Sequence, residues 1–393
     1  EIKNTLSGLF AFASALVYLH YDEDRRGRSY AAALGLFIMA VLSKTTAATL
    51  PGALLVIFWW RRGRLSWRRD WVPLLPFFVV GAIDGLFVAW VEWRVIGAQG
   101  SDFAFNLVER GLLAGRAAWF YLGKIIWPAD LMFFYPRWSI NQTEVWQYLY
   151  PAAAVAVLAL LWKLRGRSRG PLAGALIFIG TLLPILGFLN VYLFVFSFVA
   201  DHLQYLACVG VIVMAAAGVT RLKSRLGRPM ATGLALALLA VLGVLSWRQS
   251  RMYRDAETLY RRTLAQNPDA WLAHGNLGAL LVKSGRYEEA TGHLLTAQKF
   301  HPEKTELMYS LGLALLHLQR PAEAIPQFEG LLSVRPDDVE GLGDLGDALM
   351  KLNRVTEAIP YYERAVGLKP DLPGVQNNLG SALIATGRPT EAD

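Results

Sequence analysis

Eight apolar runs of near membrane-spanning length occupy most of the first 247 residues. A lipid bilayer offers no water to backbone N–H and C=O groups, so apolar runs of about 20 residues fold there as helices. The sequence therefore predicts a polytopic bundle of membrane helices. The predicted spans are 5–21, 29–43, 45–60, 71–93, 148–164, 171–190, 203–220 and 230–247.

Basic residues mark one end of these predicted spans. Residues 1–247 contain 23 Lys and Arg against 12 Asp and Glu, whereas residues 248–393 contain 16 against 19. Sixteen of the 23 cations fall in four loops that share one side if the spans alternate, and the positive-inside rule makes that side cytoplasmic. The basic excess thus follows membrane topology, and no basic stripe on a soluble domain predicts nucleic-acid binding. These loops are 25–28, 61–69, 163–169 and 221–228.

Two segments do not fit a series of full crossings. The spans 29–43 and 45–60 are together too short to cross a hydrocarbon core of about 30 Å twice. We therefore expect a short hairpin with Lys44 recessed at its tip. Counting 111–128 as a span would move loop 163–169 to the opposite side, so we expect an outward-facing interfacial or re-entrant helix there. The last span then leaves the chain on the non-cytoplasmic side.

The second part of the chain repeats every 34 residues. Glycines, alanines and prolines each recur at this spacing, for example Gly278, Gly312 and Gly346. This is the pattern of the tetratricopeptide repeat (TPR), a pair of helices that stacks on its neighbours. The sequence thus predicts an all-α chain, with a membrane domain at 1–247 and a TPR α-solenoid at 248–393. The solenoid comprises a half repeat 248–270, full repeats 271–304, 305–338 and 339–372, and a partial repeat 373–393.

Residues 248–270 match only the second helix of a repeat. We therefore expect the last membrane span to take the place of the first helix of that repeat. The first helices of a TPR array form a concave groove. Small polar side chains recur at one groove-facing register and can hydrogen-bond the backbone of an extended peptide. The alternative is that they only solvate an exposed face. They are Asn276, Ser310, Asp344 and Asn378.

Polar residues gather where an outward loop re-enters the membrane, at 197–210. Charged groups near a bilayer are costly and often functional. The group can bind a sugar or a phosphate; alternatively it is an interfacial anchor in which the aspartate caps the next helix. Its members are Asp201, His202, Gln204 and Tyr205.

Further cations are expected on the same face. Lys44, Arg116 and Lys124 can bind a phosphate, or they can extend to lipid headgroups. The six histidines are scattered, so the sequence contains no metal-ligand spacing, and it has no phosphate-binding glycine loop. A soluble nucleotide-sugar enzyme is therefore not predicted.

Four stretches resemble one branch of membrane enzymes: EIKNTLSGLF (1–10), LSKTTAATLP (42–51), GRAAWFYLGKIIWPADLMFFYPRW (115–138) and SFVADHLQYLA (197–207). Together with the TPR half, they resemble the transmembrane and tetratricopeptide-repeat O-mannosyltransferases and their bacterial relatives. That family has the GT-C membrane glycosyltransferase fold. Its members more often begin the first stretch with E-R-K-N, so Ile2 departs from the pattern.

The resemblance implies transfer of a sugar, expected to be mannose, from a polyprenyl-phosphate donor to Ser/Thr hydroxyls of a protein. The catalytic acidic residue would lie in a loop that precedes Glu1. Glu1, Lys3 and Asn4 would line the mouth of the cavity, and the TPR groove would hold the acceptor polypeptide. No cofactor beyond the lipid-linked donor is implied, and the need for a divalent metal is left open. The donor would contact Lys44, Arg116, Lys124, Asp201, His202, Gln204 and Tyr205.

The expected location is a bacterial inner membrane with the TPR array on the periplasmic side, or an ER membrane with a luminal array if the chain is eukaryotic. The alternative function is a non-catalytic membrane scaffold that recruits envelope proteins through its repeats. A transporter is the third reading, and it would be expected to show symmetry between membrane halves. The sequence shows no such symmetry.

Overall fold

The computed structural model describes residues 2–100 and 103–388, which form helices, turns and loops without a strand among them. The all-α prediction is confirmed. The chain divides into two units, Glu1–Arg251 and Met252–Asp393. The division falls four residues beyond the expected boundary at 247.

Each predicted span overlaps a helix of the first unit, although 45–60, 171–190 and 203–220 are α-helical only in part. Four apolar helical segments are long enough to cross a membrane, namely Ile2–Asp24, Trp67–Ile96, Val145–Leu164 and Arg228–Tyr253. Three shorter apolar helices accompany them, which associates this unit with a membrane. The α-helices described in this unit are α1 (Ile2–Asp24), α2 (Gly27–Ser43), α3 (Leu50–Arg62), α4 (Leu75–Val91), α5 (Leu107–Ile126), α6 (Leu149–Leu164), α7 (Gly170–Leu182), α8 (Cys208–Leu226) and α9 (Arg228–Ser250).

The short hairpin predicted around Lys44 is present. Lys44 has extended backbone (φ −164°, ψ 126°) that ends α2, and a 3-10 turn at Thr45–Thr49 leads into α3. Asp84 of α4 lies near the Thr45 side chain. The helix α5 covers most of 111–128 and is not among the four long apolar segments, and its interfacial or re-entrant position stays a prediction. It nevertheless packs inside the unit, because Leu112, Ala117 and Tyr121 on its apolar stripe are buried.

Small and hydroxyl residues bring α1 and α2 together. Ser7 Oγ donates to Ala40 O at 2.9 Å, and Ser14 Oγ donates to Ala33 O at 2.8 Å. Both serines are buried. In hydrocarbon, such interhelical hydrogen bonds and the close approach of small residues drive helix association. The pair α1–α2 therefore fixes where the N-terminal end of α1 lies relative to Lys44.

The four basic loops lie together at the end of this unit opposite to Lys44. Arg25 Nη1 donates to Arg69 O at 3.5 Å, which links the first loop to the second. The Arg169 guanidinium lies against the glycine that ends α3, so the third loop meets the second. Arg221 Nη2 donates to Ser168 Oγ at 3.5 Å, which links the fourth loop to the third. The loops thus share one end, as alternating spans require.

A buried ion-pair network stabilises the end of the unit where the basic loops meet. The side chains of Asp22 and Asp70 are only 5% and 1% exposed, and both contact the Arg62 guanidinium. Asp22 also pairs with Arg25 at 2.5 Å, and Asp70 Oδ2 accepts from Ser66 N at 2.7 Å. Because a buried carboxylate is costly unless it is paired, Arg62 ties α1 to α3 and to the loop that follows.

The second unit is a stack of helix pairs with the predicted 34-residue period. The recurrent glycines lie where the two helices of a repeat touch: a Cβ on Gly312 would come within 2.7 Å of Phe328. The residues at these contacts, including Phe328, Leu345 and Tyr362, are fully buried. The helices are α10 (Ala256–Gln266), α11 (Trp271–Lys283), α12 (Tyr287–Phe300), α13 (Thr305–His317), α14 (Pro321–Val334), α15 (Val339–Lys351), α16 (Val355–Leu368) and α17 (Pro373–Ala385).

Candidate functional site

Lys44 lies at the centre of a polar cluster at the end of the first unit that is remote from the basic loops. Its Nζ donates to Asn4 Oδ1 at 2.5 Å and to His202 O at 3.5 Å. Ser7 Oγ lies 3.4 Å from the Lys44 carbonyl and steadies this turn from α1. Residues from three separate parts of the sequence thus converge on one half-buried ammonium group.

A small cavity of about 20 Å³ adjoins this cluster. Asn4, Lys44, His202 and Tyr205 contribute to its lining. A volume of this size accommodates roughly one water molecule. A sugar ring therefore requires the surrounding loops to move apart or the site to extend beyond this cavity. Lys3 is exposed near by, and Glu1 lies outside the described residues.

Asp201 lies beside His202, in a 3-10 turn at Asp201–Leu203. Its carboxylate oxygens accept hydrogen bonds from Tyr135 Oη at 2.9 and 3.1 Å. Burial raises the pKa of Asp201 to about 6, although the Tyr135 hydrogen bond and the Lys124 charge oppose the shift. At pH 7 this carboxylate is mostly ionised and can accept hydrogen bonds from hydroxyl groups.

Arg116, Phe120 and Lys124 follow one another along a single face of α5, four residues apart. Lys124 Nζ donates to Ala129 O at 2.8 Å and lies 5.5 Å from the centroid of the Tyr135 ring. It therefore caps the turn after α5 and faces the Asp201 region.

Arg116 is placed differently. Its guanidinium lies 4.4 Å from the centroid of Trp138, 5.8 Å from that of Trp146 and 5.9 Å from that of Tyr150. No acceptor in the described parts of the chain forms a hydrogen bond with it. Neither Arg116 nor Lys124 lines the cavity at Lys44, so the structure does not bring these two predicted phosphate ligands to that cavity.

Gln204 and Tyr205 differ in exposure although they are neighbours. Tyr205 is 53% exposed and lines the cavity at Lys44. Gln204 is buried, and its Oε1 has no hydrogen-bond partner within the residues that the structure describes. Gln204 therefore does not contribute to the cavity, whereas Tyr205 does.

Two tyrosines that the sequence did not single out hold this site in place. Tyr121 Oη accepts from Ala200 N at 3.2 Å, and Tyr135 Oη donates to Asp201. Both tyrosines are buried. Tyr121 attaches the loop 197–207 to α5, and Tyr135 attaches it to the segment that follows α5, so the placement of Asp201 and His202 depends on both. Their only sequence signal was membership of the stretch 115–138, where aromatic residues are too common to be distinctive.

The four polar residues predicted to line the TPR groove lie on the first helices α11, α13, α15 and α17, and each is half-buried. Ser310 Oγ donates to Glu306 O of its own helix, whereas Asn378 Nδ2 donates to Asp347 Oδ1 at 2.7 Å. Asp344 lies beside the Tyr309 hydroxyl. Asn276 is the fourth member. Peptide binding by this register stays a prediction.

The charge of Asp344 can be tested through the stability of the TPR unit. Burial and the neighbouring carboxylates Asp347, Glu340 and Asp338 raise its pKa to about 6, against the opposing hydrogen bond from Tyr309. The folded state thus favours the protonated form, and this contribution to stability is present below pH 3.8 and lost as the pH rises through about 6.

We expect Asp344→Asn to stabilise the TPR unit at pH 7.5 by about 2 kcal/mol. The amide keeps an oxygen acceptor for Tyr309 and removes the charge. Differential scanning calorimetry of the whole protein measures the shift in its TPR transition. Below about pH 4 the difference from the wild type should vanish. A variant that is less stable than the wild type at pH 7.5 would contradict this assignment of the charge.

Comparison with known protein families identifies tetratricopeptide repeats at residues 241–305, 280–339, 309–373 and 344–392. Among curated proteins, the chain is 36% identical over 131 residues to the protein O-mannosyl-transferase Tmtc2 of Drosophila melanogaster, covering 33% of this chain and 14% of the fly protein. It is 27% identical over 132 residues to the human protein O-mannosyl-transferase TMTC1, covering 33% of this chain and 15% of the human protein. The similarity to these transferases lies in the TPR region, so the matches span about a seventh of their length.

A second kind of relative matches part of the same chain. The type IV pilus assembly protein PilF of Pseudomonas aeruginosa is 35% identical over 81 residues, covering 20% of this chain and 32% of PilF. Among solved structures, the TPR protein YrrB is 23% identical with a TM-score of 0.34, covering 38% of this chain and 76% of YrrB. MamA from Desulfovibrio magneticus RS-1 is 20% identical with a TM-score of 0.34, covering 39% of this chain and 88% of MamA.

Proposed function

We propose that this chain is part of a membrane glycosyltransferase that moves a sugar from a polyprenyl-phosphate donor to Ser/Thr hydroxyls of an acceptor protein. Mannose is the proposed sugar, because the transferases that share similarity with the TPR region are named O-mannosyl-transferases. A GT-C-like fold for the first unit is part of the proposal. The observation that carries it is the convergence of Asn4, Lys44 and His202 at one end of a unit with membrane-spanning helices.

Lys44 is the proposed ligand of the donor phosphate. An ammonium group binds a phosphate as a point charge with three donors. Asn4 Oδ1 and His202 O accept hydrogen bonds from the Lys44 ammonium and orient it. When the sugar leaves, the phosphate gains negative charge, and a cation already in position stabilises that charge in the transition state.

The sugar would lie toward Asp201 and Tyr205. The ionised Asp201 carboxylate can accept hydrogen bonds from sugar hydroxyls, and Tyr135 fixes its orientation. Lys124 adds positive charge on the same side. The proton of the acceptor hydroxyl requires a general base. The proposal assigns this role to the acidic residue that the resemblance implies.

The TPR unit is proposed to bind the acceptor polypeptide through the register of Asn276, Ser310, Asp344 and Asn378. Joining an acceptor-binding module and a donor-binding module in one chain raises the effective concentration of acceptor for the transferase. The proposal places Lys44 on the non-cytoplasmic side, because the four basic loops at the other end follow the positive-inside rule. The host membrane is proposed to be a bacterial inner membrane.

A scaffold for envelope protein assembly is the second candidate. The observation that favours it is that similarity to the transferases is confined to the repeats, and that the pilus assembly protein PilF also matches there. A scaffold needs the TPR groove and a membrane anchor. A scaffold function does not require the Lys44 ammonium to be held between Asn4 and His202.

A transfer assay separates the two candidates. Membranes containing the product of the complete reading frame are incubated with radiolabelled polyprenyl-phosphate mannose and a Ser/Thr-rich acceptor protein. The transferase proposal expects label on acceptor hydroxyls that alkaline β-elimination releases. Membranes from cells without the gene are the control. No incorporation with any polyprenyl-phosphate hexose, together with retention of acceptor proteins by the TPR unit, would favour the scaffold.

A further inference from the structure

A large apolar groove lies on the first unit at the end where the basic loops meet. It has a volume of about 570 Å³ and runs between α3, α7 and α8. This volume falls within the range of about 300–1,000 Å³ that is typical of ligand pockets. It does not share a residue with the cavity at Lys44. We call it the basic-end groove; its lining includes Trp60, Gly174, Ile177, Met214, Gly218 and Arg221.

Small residues form the floor of this groove. At the crossing of α7 and α8, a Cβ on Gly210 would come too close to the backbone oxygen of Gly174, so only glycine permits this approach. Farther along α8, Gly218 borders open space, since a Cβ built there meets no atom within 4 Å. The helices thus touch at one level and leave room for a hydrocarbon chain at the next.

The polar groups of the groove are concentrated at its mouth. Arg221 is exposed there, and its Nη2 donates to Ser168 Oγ at 3.5 Å. Among the residues that the structure describes, no carboxylate pairs with Arg221. Arg169 lies in the neighbouring loop and is likewise without an acidic partner in the described segments. An unpaired guanidinium above an apolar groove matches a ligand with an anionic head and a hydrocarbon tail.

We propose that the basic-end groove binds an anionic phospholipid of the leaflet on the basic-loop side. The acyl chain lies along α7 and α8, and the phosphate contacts Arg221 and Ser168. An anionic headgroup is favoured over a zwitterionic one because four basic loops gather at this end, and each nearby Arg adds attraction to anionic lipid. This site is distinct from the proposed donor site at Lys44 and does not depend on the transferase proposal.

The test uses the product of the complete reading frame, purified in detergent and titrated with phosphatidylglycerol or phosphatidylcholine of identical chains. Native mass spectrometry counts the lipids that stay bound. We expect one retained phosphatidylglycerol, bound about fivefold more tightly than phosphatidylcholine. Arg221→Gln should abolish this preference. Its matched control is Arg225→Gln, which removes a cation from the same loop but not from the groove, and should change the preference less than about twofold.

A second variant tests the groove itself. Gly218→Leu places a side chain into the open part of the groove and should weaken both lipids by about tenfold. Gly233→Leu is the control, because a Cβ on Gly233 in α9 also meets no atom within 4 Å but lies away from the groove. The proposal is overturned if the wild type retains no lipid, as when another helix of the same protein covers the groove. Equal affinity for both lipids, or equal losses in variants and controls, also overturns it.

Discussion

Replacing Lys44 with Met is expected to lower the rate of sugar transfer about 100-fold. The methionine side chain has a similar length but cannot bind the phosphate or stabilise the charge that it gains as the sugar leaves. Losing one such preorganised group typically reduces kcat by about two to three orders of magnitude. The measurement is initial transfer velocity against donor concentration, in membranes that contain equal amounts of protein.

Lys163→Met is the matched control for this variant. Lys163 is exposed at the C-terminal end of α6, in a basic loop remote from Lys44. Transfer by this variant should stay within about twofold of the wild type. Thermal unfolding of both variants in detergent separates catalysis from folding. A Lys44→Met protein that transfers sugar at the normal rate would remove Lys44 from the mechanism.

Replacing Arg62 with Met is expected to destabilise the first unit by about 3–5 kcal/mol. The guanidinium contacts two carboxylates, Asp22 and Asp70, which are almost fully buried. Asp22 keeps Arg25 as a partner, whereas the partner that Asp70 keeps among the described residues is the Ser66 N–H. The variant thus contains a buried charge without a cation. Thermal unfolding in detergent, followed by loss of monodisperse protein, measures the effect.

The neighbouring Arg61→Met is a sharp control. Arg61 pairs with Glu23 at 3.4 Å, but both side chains are exposed, at 45% and 64%. Such a pair contributes less than about 1 kcal/mol. Adding Asp70→Asn to Arg62→Met should restore part of the lost stability, because the uncompensated charge is then gone. If Arg61→Met and Arg62→Met are equally stable, the buried network is not what holds this end together.

The membrane helices and the TPR helices were predictable because each group has its own signal in the sequence. Apolar length identified α1, α4, α6 and α9, and the 34-residue spacing identified the TPR helices. The ends of two spans were not predictable. The run 171–190 stops being helical at Ile185, and the run 203–220 becomes an α-helix only at Cys208. The intervening residues are held by Tyr121 and by Tyr135, which are contacts over long sequence separations.

The candidate site was predictable in part. Alternating spans placed Lys44 and His202 on one face, and the family resemblance added Asn4 to them. The actual contacts depend on how Ser7 and Ser14 bring α1 against α2, which no local pattern reveals. Arg116 was grouped with these residues by its charge, its predicted place on the outward face and the family resemblance of the stretch 115–138. Its aromatic neighbours come from positions 22 to 34 residues away, so its separate environment could not be foreseen.

The joined basic loops also constrain how the protein is made. Loop 61–69 contacts loop 25–28 on one side and loop 163–169 on the other, and loop 221–228 reaches Ser168. These contacts form only after all four loops have reached the same aqueous compartment. The arrangement of α1 to α8 is therefore completed after their insertion. If a single helix were inserted in the wrong orientation, at least one loop would lie on the other side of the bilayer from the loops that it contacts. One accessibility label on any of the four loops reports the orientation of all of them.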